Sequence, residues 1–136
     1  MYSLTVRRHA CIAHALKRDV FGPARNLHGI TLIVDAEFQT AELDTNNTVI
    51  DVVRASKILK DVLAEFHYQN LEENPALASV PTTMEFLARR IHDGVAARIA
   101  SRFKGGLKIT ARESPEAWAA YEGDVAAKKR PGLKRA

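Results

Sequence analysis

A change of hydrophobic period along the chain does most to narrow the fold. In Gly29-Ile30-Thr31-Leu32-Ile33-Val34-Asp35-Ala36-Glu37-Phe38, residues Ile30, Leu32, Val34, Ala36 and Phe38 place an apolar side chain at every second position. A strand sends alternate side chains to opposite faces, so this segment is a strand with one apolar face, and Asp35 and Glu37 mark the other as wet. From Val52 the spacing changes to threes and fours. Ala55, Ile58, Leu59, Val62, Leu63 and Phe66 form one stripe, with Arg54, Lys57, Lys60, Asp61 and Glu65 opposite, which predicts an amphipathic helix. A second helix opens at Thr82-Thr83-Met84-Glu85, with Thr82 read as N-cap and Glu85 as its capping-box partner. It runs through Phe86, Leu87, Ile91, Val95, Ile99 and Phe103 and stops at Gly105-Gly106. Alternation returns at Leu107, Ile109 and Ala111; Leu4–His14 and Ala117–Tyr121 complete the strands.

The order β-β-α-α-β-β predicts an α+β fold, an antiparallel four-stranded sheet with both helices on one face. That arrangement leaves the other face bare and two edges unpaired, which assembly of several copies into a barrel would relieve. With 46% apolar residues among 136, one folded core is expected. The net charge of +4 is uneven: residues 124–136 carry Lys128, Lys129, Arg130, Lys134 and Arg135 against Asp124, so residues 1–123 are balanced. We therefore expect a domain over 1–123 followed by a basic, flexible tail over 124–136, and no nucleic-acid-binding body. Cys11 is the single cysteine, which excludes an intrachain disulfide. No apolar run reaches the roughly 18 residues of a membrane span, and Arg7, Arg8, Lys17 and Arg18 break up any signal peptide. A soluble, cytoplasmic chain is the expectation.

His14 ends the first strand and His28 begins the second, so a hairpin-like connection could bring two imidazoles together, a common start to a zinc site. On spacing alone, two unrelated polar residues remain the default. His9 and Cys11 lie at odd separations from His14 and face the other way unless a bulge intervenes; Cys11 is expected as a small buried hydrophobe. His92 is expected to face solvent. Arg89, Arg90, Arg98, Arg102 and Lys104 are expected on a solvated helix face, or else as attraction for a polyanionic ligand.

Taken in order over residues 2–122, the segments Ala13-His14, Leu27-His28-Gly29, Thr82-Thr83-Met84-Glu85 and Arg112-Glu113 resemble the 6-pyruvoyltetrahydropterin synthase and 6-carboxytetrahydropterin synthase family. The resemblance implies the tunnelling fold and rings of three subunits, single or stacked in pairs as homohexamers, with active sites between subunits. It implies a lyase acting on dihydroneopterin triphosphate or a related pterin, with zinc polarising the substrate side chain. The product would be a 6-pyruvoyl or a 6-carboxy pterin, the latter leading toward queuosine synthesis. By the same resemblance His14 and His28 would hold zinc, while the third ligand position is Ile30, which cannot ligate. Ala24 stands where the family has its cysteine. His67-Tyr68-Gln69-Asn70-Leu71 falls on an Asp-His-x-x-Leu pattern with both leading residues changed. Glu113 matches the carboxylate that anchors the pterin ring, with Thr82 and Thr83 as further substrate contacts. His67 and Tyr68 are the candidates for proton transfer. The alternative is a non-catalytic pterin- or purine-binding oligomer; a purely structural oligomer is more distant.

Overall fold

The computed structural model describes residues 1–125. Strands β1 (Tyr2–His14) and β2 (His28–Thr40) form a long antiparallel hairpin, followed by helix α1 (Val52–Leu63) and a two-residue strand β3 (Gln69–Asn70). Helix α2 (Met84–Ile99) then leads into the hairpin β4 (Gly105–Ser114) and β5 (Ala117–Val125). The sheet order is β3-β1-β2-β4-β5, so the expected antiparallel four strands are present and β3 is added parallel to the β1 edge. Two residues carry no period, which is why the sequence did not reveal β3. The connection between β1 and β2 contains a 3-10 segment at Asp19–Arg25, and another follows β3 at Leu71–Glu73.

Alternation decides what is buried. Val6, Ala10, Ile12 and His14 of β1 share one face with Leu32, Val34, Ala36 and Phe38 of β2 and Leu107, Ile109 and Ala111 of β4. The helices cover that face. From α1 they contribute Ala55, Leu59, Val62 and Leu63, and from α2 Leu87, Ala88, Ile91, Val95 and Ile99. Asp51 caps α1, its Oδ1 accepting from the amides of Val53 at 2.9 Å and Arg54 at 3.3 Å, a contact worth about 1 kcal/mol. Phe66 is predicted inside this helix but follows it, still fully buried. Beyond it Tyr68 adopts a left-handed φ of 59°, and the turn is latched to the edge of β1. The Tyr68 amide donates to the Cys11 carbonyl at 2.7 Å, and the Cys11 amide donates to His67 Nδ1 at 3.1 Å. At the end of α2, a side chain on Gly105 would run into the Gln39 carbonyl, so only glycine lets β4 start against β2 there.

The cap of α2 is one residue later than predicted. Thr83, not Thr82, is the N-cap, its hydroxyl accepting from the Phe86 amide at 3.1 Å. Thr82 is fully buried with its hydroxyl turned to His14. The final strand also outruns its prediction. Val125 pairs with Gly105 and is buried, so Asp124 and Val125, assigned to the tail by charge, belong to the fold. The remainder of that tail lies outside the described residues.

The face away from the helices is less wet than its pattern suggested. Asp35 is only 8% exposed because Arg7 grips both its oxygens at 2.6 and 2.9 Å, while Arg112 reaches Oδ2 at 3.3 Å. Hydrogen bonds from Arg7 hold the Asp35 carboxyl below its ordinary range, with Arg112 adding to the effect.

Candidate active site

The β1–β2 hairpin closes on its last rung with His14 paired to His28. Their rings stand 4.7 Å apart, inclined at 60°. His14 is 2% exposed, and its Nδ1 lies 3.0 Å from both the carbonyl oxygen and Oγ1 of Thr82. A carbonyl can only accept, so the proton sits on Nδ1 and the Nε2 lone pair is free. His28 repeats the arrangement, with Nδ1 2.8 Å from the Asn26 carbonyl oxygen. Backbone carbonyls behind both rings thus select one tautomer, as they do behind metal-ligating histidines. Burial, then the proximity of His28, holds His14 below the ordinary histidine range, so the ring is neutral near pH 7.

Both imidazoles open on a cleft of about 250 Å³, lined also by Ala24, Thr83, Glu85, Glu113 and Trp118. Glu113 follows Leu107, Ile109 and Ala111 on β4, at the end of the sheet where the β4–β5 register shifts between Arg112 and Ser114, so the bulge and not the alternation of the core sets its direction. A bulge there frees Glu113 from strict pairing and leaves its side chain exposed. Glu113 and Glu72 both favour a proton on His14, but less than burial opposes it.

Of the residues singled out in the sequence, His14, His28, Thr83 and Glu113 meet in this cleft. Thr82 does not line it; it stands behind His14 and holds that ring. His67 and Tyr68 lie outside, on the β3 side of β1, where the His67 ring packs 4.1 Å from the Tyr68 ring and 5.9 Å from that of His9. Tyr68 is 80% exposed there. His9 is exposed, as its position opposite to His14 predicts, whereas Cys11 is half-buried rather than buried. No bulge interrupts the register of β1 with β2.

The expectation for His92 is corrected. It is buried between α2 and β5, with Nδ1 3.1 Å from an Asp93 carboxylate oxygen and Nε2 3.2 Å from the Gly123 carbonyl oxygen. Its spacing from Ala88 and Val95 already placed it on the apolar stripe of the helix. Arg89 and Arg90 serve the surface, paired with Asp93 at 3.2 Å and Glu65 at 2.6 Å. Arg102 and Lys104 border a different hollow beside Thr40 and Asp51, at the far end of β2 from His28. Among the cleft residues that sequence reasoning missed are Glu85, taken only as a cap, and Trp118, taken only as a strand residue.

Two imidazoles on one rung, each with Nδ1 turned to a backbone carbonyl, are a start to a metal site but fall short in number. A catalytic zinc ordinarily takes three protein ligands, and among the described residues no three histidine, cysteine or acidic side chains converge to hold a metal. Ile30, two residues beyond His28 on the same side of β2, supplies a hydrocarbon where a third imidazole would complete the set.

A long β-hairpin, two helices on one face and a second hairpin, with paired histidines and a carboxylate at one sheet end, define a tunnelling fold. Solved structures agree on the fold. The 6-pyruvoyl tetrahydropterin synthase of Caenorhabditis elegans matches with a TM-score of 0.75 at 21% identity, over 90% of this chain and 97% of that one. The Plasmodium vivax 6-pyruvoyl tetrahydropterin synthase matches with a TM-score of 0.73 at 15% identity, over 90% and 98%. An uncharacterized protein of Wolinella succinogenes matches with a TM-score of 0.67 at 13% identity, over 88% and 97%. The family model for 6-pyruvoyl tetrahydropterin synthase matches residues 3–124, and the chain belongs to that family. No curated protein matches it. No helix among the described residues is long and apolar enough to cross a membrane.

Proposed function

We propose that the chain is a pterin synthase-like lyase that takes dihydroneopterin triphosphate, or a closely related pterin, into the cleft between His14, His28 and Glu113. The observation that carries this reading is their convergence: residues 14, 28 and 113, far apart in sequence, line one hollow. The Glu113 carboxylate accepts two hydrogen bonds from the aminopyrimidine edge of the ring. That orientation turns the side chain of the pterin toward the histidines. The Nε2 atoms of His14 and His28 accept protons or hydrogen bonds there, because their Nδ1 atoms are committed to Thr82 and Asn26. These two residues are also where zinc would attach; with two ligands of the usual three, they hold it weakly, and no step is assigned to it. His67 and Tyr68 reach such a cleft only from a second copy of the chain, so their role in proton transfer goes with a homo-oligomer, a trimer or a pair of trimers. A glutamate is a catalytic residue in the Plasmodium vivax synthase, and Glu85 is a second carboxylate in this cleft.

One observation favours a second reading, a non-catalytic pterin-binding oligomer. Ala24 lines the cleft at the place of the family cysteine, and Ile30 withholds a ligand, while the ring-binding carboxylate is kept. Incubation with dihydroneopterin triphosphate, followed by mass analysis, separates the two. The lyase reading expects triphosphate release and a 6-pyruvoyl or 6-carboxy pterin, both lost in His14→Ala. Substrate that binds and is recovered intact establishes the second reading, and substrate that neither binds nor reacts overturns both.

A further inference from the structure

We propose that Trp118 is the stacking platform of the cleft, the surface on which the flat face of a bicyclic heterocycle rests while Glu113 takes its edge. The proposal rests on the pterin reading above and adds the residue that sets ring orientation. Trp118, the chain's single tryptophan, is 55% exposed yet lines the same hollow as His14, His28 and Glu113. An indole left this open in a monomer forgoes substantial burial, which a planar ligand would supply. The ring is also held in place. The Arg112 guanidinium lies 4.7 Å from its centroid, and Arg112 is tied at 3.3 Å to the Asp35 carboxylate that Arg7 grips from the other side. One indole face is therefore backed by a fixed cation, and its flanking residues, Ala117 and Ala119, are too small to cover the rest.

The positions suit the task. Trp118 pairs with Arg112 across β4 and β5, and Glu113 is the next residue at the bulge. Carboxylate and indole thus arise from adjoining rungs of one hairpin. An edge contact together with a face contact fixes a flat ring in orientation, which neither does alone.

Calorimetric titration of 7,8-dihydroneopterin into the full chain tests this, with Trp118→Ala and Trp118→Phe beside the wild type and each assembly sized by gel filtration. Trp118→Ala should weaken binding by roughly ten- to hundredfold, the range that base–aromatic stacking supplies. Trp118→Phe should recover most of the loss, with assembly size unchanged. Wild-type affinity in Trp118→Ala overturns the platform while leaving the pterin reading intact. Lost binding accompanied by a changed assembly also overturns it, since the indole would then be a contact between copies. A wild type that takes no dihydroneopterin removes the pterin reading itself.

Discussion

Replacing Glu113 with alanine should weaken dihydroneopterin binding by two to four orders of magnitude while leaving the melting temperature unchanged. Two hydrogen bonds to one carboxylate, each worth about 1.5–3 kcal/mol when an acceptor is charged, together set that range. Stability should not follow, because the side chain is exposed and has no protein partner among the described hydrogen bonds. Substitutions at such surface positions fall within about 0.5 kcal/mol. Glu113→Gln is the sharper control. It keeps the shape but turns one acceptor into a donor facing the ring's own donors, so it should bind little better than alanine. Calorimetric titration measures both; wild-type affinity in either variant would remove Glu113 from the site.

Ile30→His should tighten zinc binding by at least a hundredfold. His14 and His28 already present free Nε2 atoms from the last rung of the hairpin, and residue 30 follows His28 on the same side of β2. A third imidazole would turn a two-ligand contact into the three-ligand set that leaves one position for substrate. Loss of an outer-sphere partner alone costs about ten- to a hundredfold in metal affinity, so a direct ligand should exceed that. Ile30 is partly buried opposite Ile12 and packs against the core, so the metal-free variant should melt lower than the wild type and recover when zinc is added. Competition against a chromophoric chelator gives the two affinities. Equal values would mean that residue 30 does not face the histidine pair.

The parts of the fold that follow a period were legible. β2 and α1 declare themselves by alternation and by threes and fours, because their burial comes from one flat face or one stripe. The His14–His28 meeting was only partly legible: a hairpin-like connection could bring the two rings together, but spacing alone left unrelated polar residues as the default, and the last rung of the β1–β2 register decides it. Glu113 was harder. Its place near them depends on β4 pairing with β2, and non-consecutive pairing leaves no local mark in the chain. β3 and the turn at Tyr68 are fixed by hydrogen bonds to Cys11, a contact across more than fifty residues. Thr82 and Thr83 are both able caps, and only the burial of His14 against Thr82 decided between them. Trp118 gave no signal because an exposed aromatic on a strand is commonplace; its company makes it notable.

The most direct test of a shared His14–His28–Glu113 cleft is to follow the histidine ring resonances by NMR as 7,8-dihydroneopterin is titrated in. The ring signals of His14 and His28 should shift together and saturate with the ligand, while those of His92, locked between α2 and β5, stay fixed. Saturable binding that moves neither His14 nor His28 would contradict the account.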